Sequence, residues 1–133
     1  RYMSRRASNR VRISCSVPKQ PLIVPLCSSL FEWVVENLCK NAIDAMEGEG
    51  SITLTAFSED TLAVLEVSDT GKGIPRNKFR AVFAPGFTTK RRGWGLGLSL
   101  ARRIVEEYHH GRIYVKNSEP GRGTTFRIEI KMR

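Results

Sequence analysis

Three glycine clusters constrain this chain more than any other feature. Asp69-x-Gly-x-Gly-Ile74, Gly93-x-Gly-x-Gly-Leu98 and Gly121-x-Gly-Thr124 hold seven of the eleven glycines in its 133 residues. Glycine accepts positive φ and close backbone approach, so each cluster marks a tight turn or a surface that meets another group. Each also lies at the end or the start of a periodic segment.

Those segments predict the fold. Arg10 to Val17 alternates and is rich in β formers, which reads as a strand ended by Pro18. Ser29-Leu-Phe-Glu32 reads as a capping box opening a helix that runs to about Met46. Leu30, Val34, Leu38 and Ala42 recur at helical spacing and form its buried stripe. Gly48 and Gly50 stop it. Ser51–Phe57 and Thr61–Val67 are predicted strands of a hairpin around Ser58-Glu-Asp60. Pro75 starts a short helical piece to about Val82. Phe83 to Leu96 lacks periodicity, and loops of that length in a compact domain are usually lids or binding loops. Gly97 or Leu98 opens a second helix to about His110, closed by Gly111. Arg112–Asn117 and Thr124–Lys131 are the last strands, joined by a turn at Glu119–Gly123. This order predicts an α+β fold, a two-layer α/β sandwich with helices on one face of a mixed, mostly antiparallel sheet.

Composition sets outer limits. With 41% hydrophobic and 26% charged residues, the chain is an ordinary globular domain and not a disordered segment. The longest apolar stretch, Leu22 to Cys27, is broken by Pro25 and cannot span a bilayer. The chain begins at Arg1 without an apolar leader and reads as a piece of a longer protein. Cys15, Cys27 and Cys39 form no C-x-x-C pair, which argues against a disulfide framework or a zinc site. The net charge of +9 points to a polyanionic partner. From Pro75 to Val105 there is no acidic residue, while Arg76, Lys78, Arg80, Lys90, Arg91, Arg92, Arg102 and Arg103 fall there.

The residues that carry chemistry have plain readings when taken singly. Asn37, Asn41 and Asp44 share one helix face beside the apolar stripe. Their oxygens suit a hard cation such as Mg²⁺, and equally hydrogen bonds to neighbouring loops. Asp69 ends a strand as an acceptor, fit to take a hydrogen bond from an exocyclic amino group of adenine; turns use the same residues. Glycine amides before Leu98 open a helix and make an anion site, with Lys90, Arg91 and Arg92 adjacent. No Gly-Lys-Ser/Thr follows, so it is not a Walker loop.

In order, these elements say more. Glu36-Asn-Leu-x-Lys-Asn-Ala-x-Asp-Ala45, Asp69-x-Gly-x-Gly, Phe83-x-x-Gly-Phe-Thr-Thr-Lys90, Gly95-Leu-Gly-Leu98 and Gly-x-Gly-Thr124 resemble the ATP-binding catalytic domain of sensor histidine kinases. That domain belongs to a superfamily with DNA gyrase B, MutL and the heat-shock chaperone ATPases. The resemblance runs from about Arg10 to Met132 and implies the Bergerat fold, with ATP and Mg²⁺ bound beneath a lid at about 83–96. Residues 1–9 then read as a basic tail or linker and 10–133 as the catalytic domain.

By position, the resemblance implies that Asn41 is the Mg²⁺ ligand and that Asn37, Lys40 and Asn41 are catalytic. Asn37, Asn41, Asp44 and Ala45 line the ATP site. Asp69 reads adenine, Gly71 and Gly73 shape the base pocket, and Ile74 packs near it. Phe83 and Phe87 hinge the lid. Thr88, Thr89 and Lys90 lie near the phosphates, and Gly95, Leu96, Gly97 and Leu98 offer them backbone amides. Thr124 lies near adenine. Relatives that hydrolyse ATP carry a glutamate four residues before the metal asparagine; here Asn37 stands there. Glu36 is about 100° round the helix and is placed to pair with Lys40 at i+4. Trp94 stands where the resemblance leads one to expect Thr or Ser. His109 and His110 sit at a helix C-terminus, where the dipole favours histidine. The implied phosphoacceptor is a histidine on a separate dimerisation domain of a homodimer, with a response regulator downstream. No nucleic-acid partner, a monomeric isolated domain and a cytoplasmic location are expected. The alternatives are an ATP-driven clamp, an anti-sigma serine kinase, or a basic nucleic-acid-binding domain.

Overall fold

The computed structural model describes residues 10–17, 22, 24–85 and 97–132. Among them are β1 (Val11–Ser16), α1 (Ser28–Ala45), β2 (Gly50–Glu59), β3 (Leu62–Asp69), α2 (Gly97–Arg103), β4 (Arg112–Glu119) and β5 (Gly123–Lys131). The strands form one sheet in the order β1-β2-β3-β5-β4. β1 runs parallel to β2, with α1 as the crossover, and every other neighbouring pair is antiparallel. This is the expected mixed α+β architecture.

Alternation assigns the two faces. Ile52, Val67, Phe126, Ile128, Ile113 and Val115 turn to the helices and are all buried. Val34, Leu38, Cys39 and Ala42 of α1 close over them, joined by Ala101, Ile104 and Val105 of the second helix. Leu30, the first residue of the predicted stripe, is only half-buried at the edge of that cluster.

Among the described residues no helix covers the opposite face, which is sealed by charge. Arg127 on β5 bonds Glu129 Oε2 at 2.8 Å, Glu66 Oε2 at 3.2 Å, and Glu59. Tyr114 donates to Glu129 at 2.6 Å and Lys116 to Glu66 at 2.9 Å. Burial raises the Glu129 carboxyl, but the hydrogen bonds from Tyr114 and Arg127 and the charges of Arg127 and Arg112 outweigh it and hold the group below its usual range. Under this cover Val64 is 2% exposed although it points away from the helices.

Several boundaries differ from expectation. The hairpin strands β2 and β3 each reach further, leaving Asp60 and Thr61 as the turn, with Asp60 at φ 56°. The capping box does not form. The helix starts at Ser28 with Cys27 as its N-cap, and no side chain caps it. Ser29 therefore lies inside the first turn, its hydroxyl 3.8 Å from the Cys27 sulfur. The short helical piece after Pro75 is two separate 3₁₀ turns, Arg76–Lys78 and Ala81–Phe83. The second helix turns π-helical over Ile104–Tyr108. It is closed by His110 at φ 56°, with Gly111 N–H returning to Val105 O at 2.9 Å; Gly111 is not the left-handed residue. Glu36 and Lys40 form no ion pair among those described.

His109 is more than a helix-end residue. It is 6% exposed. Its Nδ1 lies 2.9 Å from Ile104 O, which can only accept, so Nδ1 carries the proton. Nε2 then accepts from Cys27 N–H at 3.0 Å. The ring pins the start of α1 to the end of the second helix.

Candidate functional site

Three segments distant in sequence meet at one end of the sheet. The C-terminal turn of α1 comes first. Its Ala45 carbonyl accepts from Lys72 N–H at 3.0 Å, bringing in the loop after β3. Gly71 is required there by proximity rather than by φ: a Cβ would lie 2.8 Å from the Ala45 backbone. The loop next meets the β4–β5 turn. Gly121 N–H donates to Lys72 O at 2.7 Å, and a Cβ on Gly73, at φ 81°, would overlap the Glu119 carbonyl. Two of the glycine clusters thus pack on each other, and the first of them packs on α1.

Asp69 sits where they meet. It ends β3, lies opposite Thr124 of β5, and is 9% exposed. Its Oδ1 accepts from Gly71 N–H at 2.8 Å, and Thr124 N–H also donates to the carboxyl. Burial raises its pKa, and the two backbone donors only partly offset that. Thr124 is 4% exposed, and Ile74 packs half-buried against the core.

The side expected to take phosphate begins on α1. Asn37 and Asn41 are half-buried, whereas Lys40 and Asp44 are exposed. Asn37 Nδ2 is buried and has no hydrogen-bond partner among the described residues. It lies under Gly97, where a Cβ would come within 2.7 Å of Nδ2 and 3.0 Å of Oδ1. α2 therefore starts directly against Asn37, and Leu98 packs on the core. A buried amide donor with no partner among the described residues, beside the first residue of α2, fits a phosphate oxygen. The carboxamide oxygens of Asn37 and Asn41 are the hard donors that Mg²⁺ takes.

Phe83 is a core residue, 5% exposed, with its ring edge-on to Phe126 at 6.0 Å and Arg102 stacked at 5.9 Å. It anchors the root of the segment expected as a lid. Phe87, Thr88, Thr89, Lys90, Trp94, Gly95 and Leu96 lie outside the described residues. Sequence reasoning missed Ser118, which bonds both glycine segments. A serine near the end of a strand gives no local signal of such a role.

A mixed sheet with helices on one face, and a buried aspartate framed by two glycine loops, define an ATPase domain of the Bergerat fold. The family model for histidine kinase-, DNA gyrase B-, and HSP90-like ATPases matches residues 28–133, and the chain belongs to that family. Within it the chain is of the sensor histidine kinase kind. It is 43% identical over 95 residues to sensor histidine kinase ZraS of Escherichia coli (strain K12), covering 71% of this chain and 20% of ZraS. It is similar to the catalytic domain of histidine kinase ThkA, with 33% identity and a TM-score of 0.80 over 92% of this chain and 79% of that one. The crystal structure of ThkA in complex with response regulator protein TrrA matches with a TM-score of 0.78 at 31% identity, over 92% of this chain and 34% of that one. The chain spans about a fifth of the length of ZraS. No helix among the described residues is long and apolar enough to cross a membrane.

Proposed function

We propose that this chain binds MgATP and presents the γ-phosphate to a histidine on a separate dimerisation domain, from which a response regulator takes it. The carrying observation is the pairing of two half-sites: buried Asp69 between the glycine loops, and Asn37 beneath Gly97 with an amide that has no partner among the described residues. The kinase domains named above, one of them crystallised with a response regulator, support the choice of acceptor and partner. A cytoplasmic location follows from that reading.

Asp69 takes the adenine amino group, with its carboxylate held in place by two backbone donors. Asn37 and the start of α2 hold phosphate oxygens, and Lys90 to Arg92 add positive charge. Asn41 and Asn37 would hold Mg²⁺, which when bound offsets phosphate charge. Catalysis is then positioning plus charge neutralisation. No carboxylate stands at the Asn37 position to activate water, which favours transfer to an imidazole over hydrolysis and sets the chain apart from ATP-driven clamps.

The acceptor must come from elsewhere. His109 is buried with both ring nitrogens engaged, and His110 closes a helix that starts at the phosphate side. At ~1.5 Å per residue that helix carries both roughly 15 Å or more from Gly97, whereas in-line attack needs about 3–3.5 Å. The test uses γ-labelled ATP with the chain alone and with a histidine-bearing dimerisation domain supplied in trans. Acid-labile label is expected on the supplied domain only. Label on His109 or His110 of the chain alone would overturn the proposal.

A further inference from the structure

Ser118, on β4, touches both loops that frame Asp69. Its Oγ lies 2.7 Å from Ile74 N, 2.9 Å from Gly123 O and 2.8 Å from Thr124 Oγ1. A serine hydroxyl has one proton and two lone pairs. Gly123 O can only accept, so all three contacts are hydrogen bonds together only when the Ser118 proton goes there. Ile74 N–H can only donate, so it fills one lone pair. The Thr124 contact is then a hydrogen bond only if Thr124 donates into the other. Ser118 is saturated by this arrangement, and Thr124 has spent its proton. Thr124 lies opposite Asp69 in the strand register, with its backbone amide on the Asp69 carboxyl. With Asp69 ionised, both side chains offer acceptors and no donor.

We propose that Ser118 is a positioning residue that sets base specificity: by drawing the Thr124 proton to itself, it keeps the base-facing wall free of hydroxyl donors. This rests on the nucleotide-binding reading of the site. A purine with a 6-amino group gives that wall a donor. A 6-oxo purine sets its lone pairs against others, and polar groups left unpaired in a buried site are what discriminate such analogues. Without Ser118, the Thr124 hydroxyl is free to turn and donate to a 6-oxo group.

The experiment compares ATP with inosine triphosphate, which carries a 6-oxo group in place of the 6-amino group. Binding of each is measured by calorimetry for the wild-type chain, Ser118→Ala and Ser118→Thr. Hydrogen exchange of the Ile74 amide is followed in the nucleotide-free chains. Ser118→Ala is expected to lower the preference for ATP about fivefold, the worth of one ordinary hydrogen bond. Its Ile74 amide should also exchange faster. Ser118→Thr keeps the hydroxyl and should restore both. Ser118→Cys, close in shape and a weak donor, supplies the same two readings where the alanine variant does not fold. Equal weakening of both nucleotides, or an unchanged preference, overturns the inference and leaves the nucleotide site standing. Binding of neither nucleotide by the wild-type chain overturns both.

Discussion

Asp69 is buried, and its carboxyl holds two backbone N–H groups. Burial nevertheless wins and raises its pKa. The folded chain therefore keeps the proton to higher pH than the unfolded chain, so this group's contribution to stability is lost as pH rises through the raised value. Nucleotide-free wild-type chain should lose stability across that window relative to Asp69→Asn, as followed by denaturant titration at several pH values. Affinity should move the other way. Asp69→Asn swaps an acceptor for a donor, and a lost bond to a charged group is worth roughly 1.5–3 kcal/mol, so ATP affinity should fall about tenfold or more by calorimetry. Asn41 makes a separate test. Asn41→Ala should impair binding in Mg²⁺ more than binding in chelator, and equal loss in both would assign Asn41 a structural role. The cysteines divide by environment. Hydrogen bonds from the Leu30 backbone and the Ser29 hydroxyl lower the exposed Cys27 thiol, while burial lifts Cys39 to about 11. Alkylation at neutral pH, read by mass spectrometry, should mark Cys27 well before Cys39.

At the scale of elements, what could be read from the sequence was the part that repeats. The period of Val34, Leu38 and Ala42 placed α1, and alternation placed β1 and the hairpin strands. The ends were harder, because partners far along the chain decide them. Ser29 and Glu32 have the spacing of a cap, yet Cys27 N–H is already taken by His109, 82 positions away, and the helix begins two residues sooner. The π turn before His109 carries no sequence mark. Among the site residues, the glycines were legible as glycines but not in their reasons: Gly73 needs its positive φ, whereas Gly71 needs only the nearness of Ala45. His109→Phe keeps the ring shape but strands Cys27 N–H and Ile104 C=O, so it should destabilise the fold by about 1–3 kcal/mol in a denaturation series. Gly123 sits at φ 127°, and a Cβ there would overlap the Asp69 carbonyl. Gly123→Ala should cost at least about 1–3 kcal/mol by the same measurement.

For the molecule as a whole, the sheet solves its two faces differently. One is covered by helices, as the apolar pattern foretold. The other is held by Arg127 and the carboxylates of Glu59, Glu66 and Glu129, spread over β2, β3 and β5. Spacing along the chain gives no hint of this cluster, since Glu66 and Arg127 meet only through strand register. The cluster also constrains how the sequence can drift. Removing one partner of a buried ion pair leaves an uncompensated charge and costs about 3–5 kcal/mol, whereas exchanging the whole set for apolar residues can be nearly neutral. Arg127 and Glu66 should therefore be lost together or kept together in the descendants of this chain. A library randomised at Glu66, Arg127 and Glu129 and selected for folding should return full charge sets and full apolar sets, with few lineages between them.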